Sequence, residues 1–242
     1  MKLTKADKVA IQGGDSNYLV NKGIRYYYDK DYEVAMDYYH LAAAMGNGKA
    51  IGCIGTCYLY GRGVPEEIDL ALSYYHIAMD VRDVDTFYQM GKIYSNGEGV
   101  EKDPELGVYY YETAFAELLD NYSLQDQFSH PALFAALAQE KLPGGGMSES
   151  ISTSYKYLLV ANMGYQLAID DGAFYFEEEL ESIKTRMNDP IYDDVRSAVK
   201  KQFKEVIGLE KYISIVVFAL IVKSLVRSTF SPLYLIYSTL SL

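Results

Sequence analysis

Tryptophan is absent from this chain of 242 residues, and cysteine appears only twice, at Cys53 and Cys57. Two cysteines four residues apart on one expected helix cannot build a disulfide framework. No second pair of His or Cys stands at a ligand-like spacing, so a metal site is not expected either, and buried free thiols are the simplest state. Long apolar runs are also missing. Residues 212–222 and 233–242 are apolar, but neither reaches the roughly 20 residues that a bilayer span requires. No apolar core follows the opening Met1-Lys2-Leu3-Thr4-Lys5-Ala6-Asp7, so no signal peptide is visible and cytoplasmic residence is the expectation.

Recognisable catalytic arrangements are equally scarce. Gly144-Gly145-Gly146 has no Lys-Ser/Thr after it and no strand before it, so it reads as a connection rather than a phosphate loop. His40 and His76 are 36 residues apart and recur with the structural period, which a catalytic histidine has no reason to do. His130 precedes Pro131 and is placed to cap the next helix, with no nucleophile elbow such as Gly-x-Ser-x-Gly to serve. The acidic run at 177–181 points its carboxylates in different directions around a helix and reads as a solvated face. Neither an enzyme nor a cofactor is expected.

What the chain has in excess is tyrosine, 25 residues, and acid, with a net charge of −11. The charge is uneven: residues 196–242 carry +5 and the preceding 195 carry −16. An acidic body is poorly suited to a phosphate backbone, which argues against nucleic acid. The basic end suits an anionic lipid surface or an acidic partner.

The chain also repeats itself. Ile54-Gly55, Tyr58, Gly61, Gly63-Val64, Ala71, Tyr74-Tyr75 and Ala78 return 36 residues later as Met90-Gly91, Tyr94, Gly97, Gly99-Val100, Gly107, Tyr110-Tyr111 and Ala114. A fixed period of this size signals a solenoid, in which one helix pair stacks on its copy. Helix A should end at Gly61 or Gly97, where glycine tolerates positive φ, and the valine of the loop should tuck under the pair. Helix B presents Ala71, Tyr74-Tyr75 and Ala78 on one face of a 3.6-residue period. Small residues at Gly55, Ala71 and Ala78 bring the backbones close, and tyrosines fill the gaps.

An earlier copy has the same helix B, since Ala35, Tyr38, Tyr39 and Ala42 stand 36 before Ala71, Tyr74, Tyr75 and Ala78, but its inter-helix loop is four residues shorter. Ser16 or Asn17 is expected to cap its first helix, and Gly46-Asn47-Gly48 to end its second. A degenerate fourth copy opens at Pro131 and closes with Tyr157, Ala161 and Gly164. The resulting division is a polar leader at 1–16 and repeats at 17–49, 50–85, 86–130 and 131–170. A helical extension follows at 171–206, broken near Asn188-Asp189-Pro190, and then an apolar segment at 207–242, read first as a cap that shields the last repeat and otherwise as a membrane or partner anchor.

These residues resemble the Sel-one-like repeat (SLR) family, a relative of the tetratricopeptide repeats, over about residues 17–170. The first copy, with Gly23, Tyr26, Ala35, Tyr39 and Ala42, is closer to a tetratricopeptide repeat proper. The chain departs from the family pattern at Ile54 and Met90 (usually Leu), Glu67 (usually Asp) and Gly107 (usually Ala), all similar in size or charge. Its cysteines do not repeat, unlike those of the secreted branch. The resemblance implies an all-α, right-handed α-solenoid whose A helices line a concave face, acting as an adaptor for other proteins.

By register, the A-helix residues not committed to the core are candidates for binding a peptide or helix of a protein partner. They are Asn17, Ile24, Tyr27 and Tyr28 in the first copy and Lys49, Thr56, Leu59 and Tyr60 in the second. The third copy adds Asp85, Tyr88, Lys92, Ser95 and Asn96. The alternative is a membrane-associated scaffold using residues 207–242, with Lys200, Lys201, Lys204 and Lys211 on the approach.

Overall fold

A computed structural model describes residues 2–122 and 128–210, the last eight through the backbone alone. Most of the apolar segment at 207–242, expected to cap the repeats or to meet a membrane, lies outside the described residues. Every regular element among the described residues is helical, and none of these helices is long and apolar enough to cross a membrane. The chain divides into two compact units, residues 1–102 and 103–242.

The first unit holds α1 (Lys5–Gly13), α2 (Ser16–Tyr28), α3 (Tyr32–Ala44), α4 (Gly48–Leu59), α5 (Ile68–Asp80) and α6 (Val84–Asn96). α2 pairs with α3 and α4 with α5, as the repeats require, and α3 packs on α4. The helices start on one recurring device. Asp15, Asn47 and Asp83 each precede an A helix and accept the backbone N–H three residues on, from Tyr18, Ala50 and Thr86. The cap of α2 is therefore Asp15, not Ser16 or Asn17. Those two side chains instead accept hydrogen bonds from the Asn47 amide, at 3.1 and 2.9 Å. Gly46 turns with φ 83°, as expected at the end of α3, and Gly97 closes α6 with φ 75°.

Inside each hairpin the same contact recurs. Gly23 lies under the ring of Tyr39 and the carbonyl of Ala35, and Gly55 under the ring of Tyr75 and the carbonyl of Ala71. Tyrosine stacking recurs as well: Tyr26 on Tyr38 at 5.6 Å and 8°, Tyr58 on Tyr74 at 5.6 Å and 7°. Ala35, Ala42, Ala71 and Ala78 are fully buried between these rings. Val64 tucks against the core formed by Ala35, Met36, Tyr39, Ile54 and Cys57, as its place in the loop predicts.

Residues 5–13 differ from expectation: the polar leader contains a helix. Thr4 and Asp7 form a capping box, and Asp7 is fully buried. Its carboxylate accepts from Lys22 Nζ at 2.6 Å and from the Tyr38 hydroxyl at 3.0 Å. Burial raises the pKa of Asp7, but hydrogen bonds from Lys22, Thr4 and Tyr38 outweigh it and hold the carboxyl well below its ordinary range. A polar sequence forms a helix here because its one acidic side chain finds a cation, Lys22, and a hydroxyl donor, Tyr38, on the first repeat.

The second unit contains α7 (Pro104–Asn121), α8 (Pro131–Glu140), α9 (Ile151–Asp170), α10 (Glu177–Met187) and α11 (Asp193–Glu210), with 3-10 turns at Phe174–Phe176 and Pro190–Tyr192. α8 and α9 pair closely around Phe134 and Tyr157, joined by Phe115 of α7. The contact at Gly164 faces the Phe128 carbonyl and Pro131, so this pair is not built on the glycine-under-tyrosine contact of the earlier hairpins. His130 stands at the cap position of α8 but makes no side-chain capping bond. The triple-glycine connection is tied to its own helix, because the Glu140 carboxylate accepts from Gly146 N at 2.7 Å.

Candidate functional site

Side chains at the two ends of the A helices of the first unit form polar and aromatic bridges between repeats. They begin at the N-termini of α2 and α4, where Asn47 joins Asn17. One helix further on, Lys49 pairs with Asp85 at 2.7 Å, both partly exposed. At the other end of the helices, Tyr60 is the centre. Its hydroxyl donates to Glu98 Oε2 at 2.8 Å and accepts from Lys92 Nζ at 2.8 Å. The other Glu98 oxygen accepts from the Asn96 amide at 2.9 Å and lies 3.5 Å from Lys92. These donors outweigh the upward push of burial and hold the Glu98 carboxyl below its ordinary range.

Arg62 extends the network to the first repeat. Its guanidinium lies 4.9 Å from the ring centre of Tyr27, 5.7 Å from Tyr32 and 5.2 Å from Tyr60, and it donates to the Tyr27 hydroxyl. Burial pushes the Tyr27 hydroxyl up to about 12, against the pull of Arg62, so this phenol stays protonated at neutral pH. Lys92 sits over the same Tyr60 ring at 5.2 Å. One tyrosine is thus flanked by two cations.

The residues expected on this face separate into three groups. Asn17, Tyr27, Lys49, Tyr60, Asp85, Lys92 and Asn96 take part in the bridges just described. Tyr28 is exposed beside them, its ring 5.8 Å from Tyr27, and Tyr88 is half-buried. Leu59, Ile24 and Thr56 serve packing instead. Leu59 is buried and Ile24 packs against the cores on both sides of the first hairpin. Thr56 holds its hairpin together, with its hydroxyl 3.1 Å from the Gly52 carbonyl and 3.0 Å from the Tyr75 hydroxyl. Ser95 buries its hydroxyl oxygen without a hydrogen-bond partner among the described residues.

Arg62, Glu98 and Tyr32 were not legible as members of this face. Arg62 and Glu98 are the variable middle residues of Gly61-Arg62-Gly63 and Gly97-Glu98-Gly99. The glycines carry positive φ, which turns each loop back across the A-helix ends and delivers the middle side chain there. The one available signal was that these two positions carry opposite charges in otherwise matching loops.

Cys53 and Cys57 are free, and burial pushes both thiols up to about 12. His40 and His76 are exposed on successive B helices. Among the described residues no three His, Cys, Asp or Glu side chains come together as metal ligands.

The Sel1 repeat family matches the chain over residues 14–47, 52–80 and 88–117. Solved structures are similar to it, two of them as follows. A Sel1 repeat protein from Oxalobacter formigenes is 18% identical over 78% of this chain and 87% of its own, with a TM-score of 0.45. A protective antigen present in uropathogenic Escherichia coli strains, displaying an SLR fold, is 20% identical over 65% of this chain and 33% of its own, also with a TM-score of 0.45. No curated protein is significantly similar. Three matched repeats, each falling on a helix pair, make this a Sel1-like repeat protein over residues 14–117.

Proposed function

We propose that the chain is a non-enzymatic adaptor whose A-helix face in the first unit captures an extended or helical segment of a partner protein. Sel1 repeats generally mediate protein–protein interaction, and their fold is a non-catalytic scaffold. The observation that carries the finer reading is the Tyr60 network, in which Tyr27, Tyr60, Arg62, Lys92 and Glu98 are held by one another rather than left to rotate. Aromatic rings and charged groups already fixed in place lose little side-chain entropy on binding. Tyr28 and Asn96 stand exposed beside them for direct contact.

Affinity capture followed by mass spectrometry tests this. A variant carrying Tyr28→Ala, Lys92→Ala and Asn96→Ala is compared with one carrying His40→Ala and His76→Ala on the B helices, after both are shown to be as helical as the parent. Selective loss of one partner from the first variant alone is the expected result. Equal retention by both would remove this face as the binding surface.

A further inference from the structure

Resting on that face as the binding surface, we infer that Arg62 receives an aspartate or glutamate side chain of the partner segment. A guanidinium carries five N–H donors and stays charged at any physiological pH. Arg62 spends one donor on the Tyr27 hydroxyl and lays its charge among three tyrosine rings. Among the described residues no carboxylate pairs with it. Glu98, the acid of the same network, is already engaged by Tyr60, Asn96 and Lys92. At the opposite end of the helices Lys49 and Asp85 neutralise each other. The Tyr60 network therefore contains two cations and one anion, within a chain of net charge −11.

Planar recognition of a carboxylate by two parallel N–H groups is the interaction arginine is built for, and its ring contacts fix the guanidinium in advance. Repulsion from the acidic remainder of the chain is weak here, since charges beyond about 8 Å are largely screened at physiological salt.

Random 12-residue peptides, displayed as fusions with no free C-terminus, are selected on the full chain. Selected sequences are then synthesised with each acid and with its amide counterpart, and affinities are read by fluorescence anisotropy. An Asp or Glu at one fixed position is expected. Its replacement by the amide should weaken binding about tenfold on the parent chain and hardly at all on Arg62→Gln. Glu98→Gln leaves the ring contacts of Arg62 in place and adds a net positive charge, so it should tighten the acidic peptide.

Equal losses for the amide peptide on the parent and on Arg62→Gln would overturn the assignment. So would weakening by Glu98→Gln, or a requirement for phosphoserine or a free C-terminus at that position. If peptides depend on Tyr28, Lys92 and Asn96 but prefer no acid, the binding face stands and the role of Arg62 falls. Peptides indifferent to all four residues would remove both.

Discussion

Gly23 and Gly55 occupy the same place in successive hairpins, and a side chain at either has nowhere to go. A Cβ on Gly23 would meet the Tyr39 ring at 2.6 Å, and one on Gly55 would meet the Tyr75 ring at 3.0 Å and the Ala71 carbonyl at 3.1 Å. Gly55→Leu should cost about 1–3 kcal/mol in urea denaturation. Gly23→Ala, a far smaller change, should also destabilise because the ring above it is buried. Lys30 presents the opposite case. It turns between α2 and α3 with φ 64°, a left-handed conformation that costs a residue with a Cβ roughly 1–2 kcal/mol. Lys30→Gly should therefore raise the thermal midpoint slightly, the gain being partly offset by the looser unfolded chain. The glycines were legible because steric demands act on single positions and recur with the period. Arg62 and Glu98 were not, because nothing local distinguishes a loop side chain that reaches a neighbouring repeat from one that reaches water.

At the scale of elements, α1 depends on one buried carboxylate. Asp7 is held below its ordinary pKa of 3.8 by hydrogen bonds from Lys22, Thr4 and Tyr38. A depressed folded pKa means the ionised form is favoured by folding, so the contribution is complete above the unfolded value and is lost as pH falls through the folded one. Asp7→Asn removes the charge that pairs with Lys22 and turns one of the two acceptor oxygens that serve Lys22 and Tyr38 into a donor, and should cost about 3 kcal/mol at pH 7, in line with breaking one side of a buried pair. The difference between parent and variant should stay constant from pH 7 down to about pH 5 and narrow below about pH 4. Chemical denaturation at a series of pH values reads this directly, and a difference that persists unchanged at pH 3 would show that Asp7 stabilises by shape rather than charge. The helix pairs of the repeats were evident from spacing, whereas α1 was not. It is short and polar on average, and its anchor is an ion pair to a residue 15 positions away. The recurring Asp15, Asn47 and Asp83 caps were partly hidden for a similar reason, since Ser16 and Asn17 are equally good capping residues and only the backbone path selects Asp15.

For the whole molecule, stability in a repeat array is close to a sum of unit stabilities and nearest-neighbour contacts. The two compact units each carry their own buried core. Weakening the first with Gly55→Leu should accelerate hydrogen exchange in α4 and α5 while the amides of α8 and α9 keep their protection, as mass spectrometry of peptic fragments would show. Uniform acceleration would mean that the chain unfolds in one step.

The Gly-x-Gly turns carry a consequence for how such a protein changes over generations. Each turn is set by its flanking glycines, which leaves the residue between them unconstrained by the core. A single codon there can replace a cation with an anion, as the second and third repeats do, without disturbing the helices on either side. Inheritance of fold and divergence of partner are thus assigned to adjacent positions, and a duplicated repeat arrives with one site already open to selection.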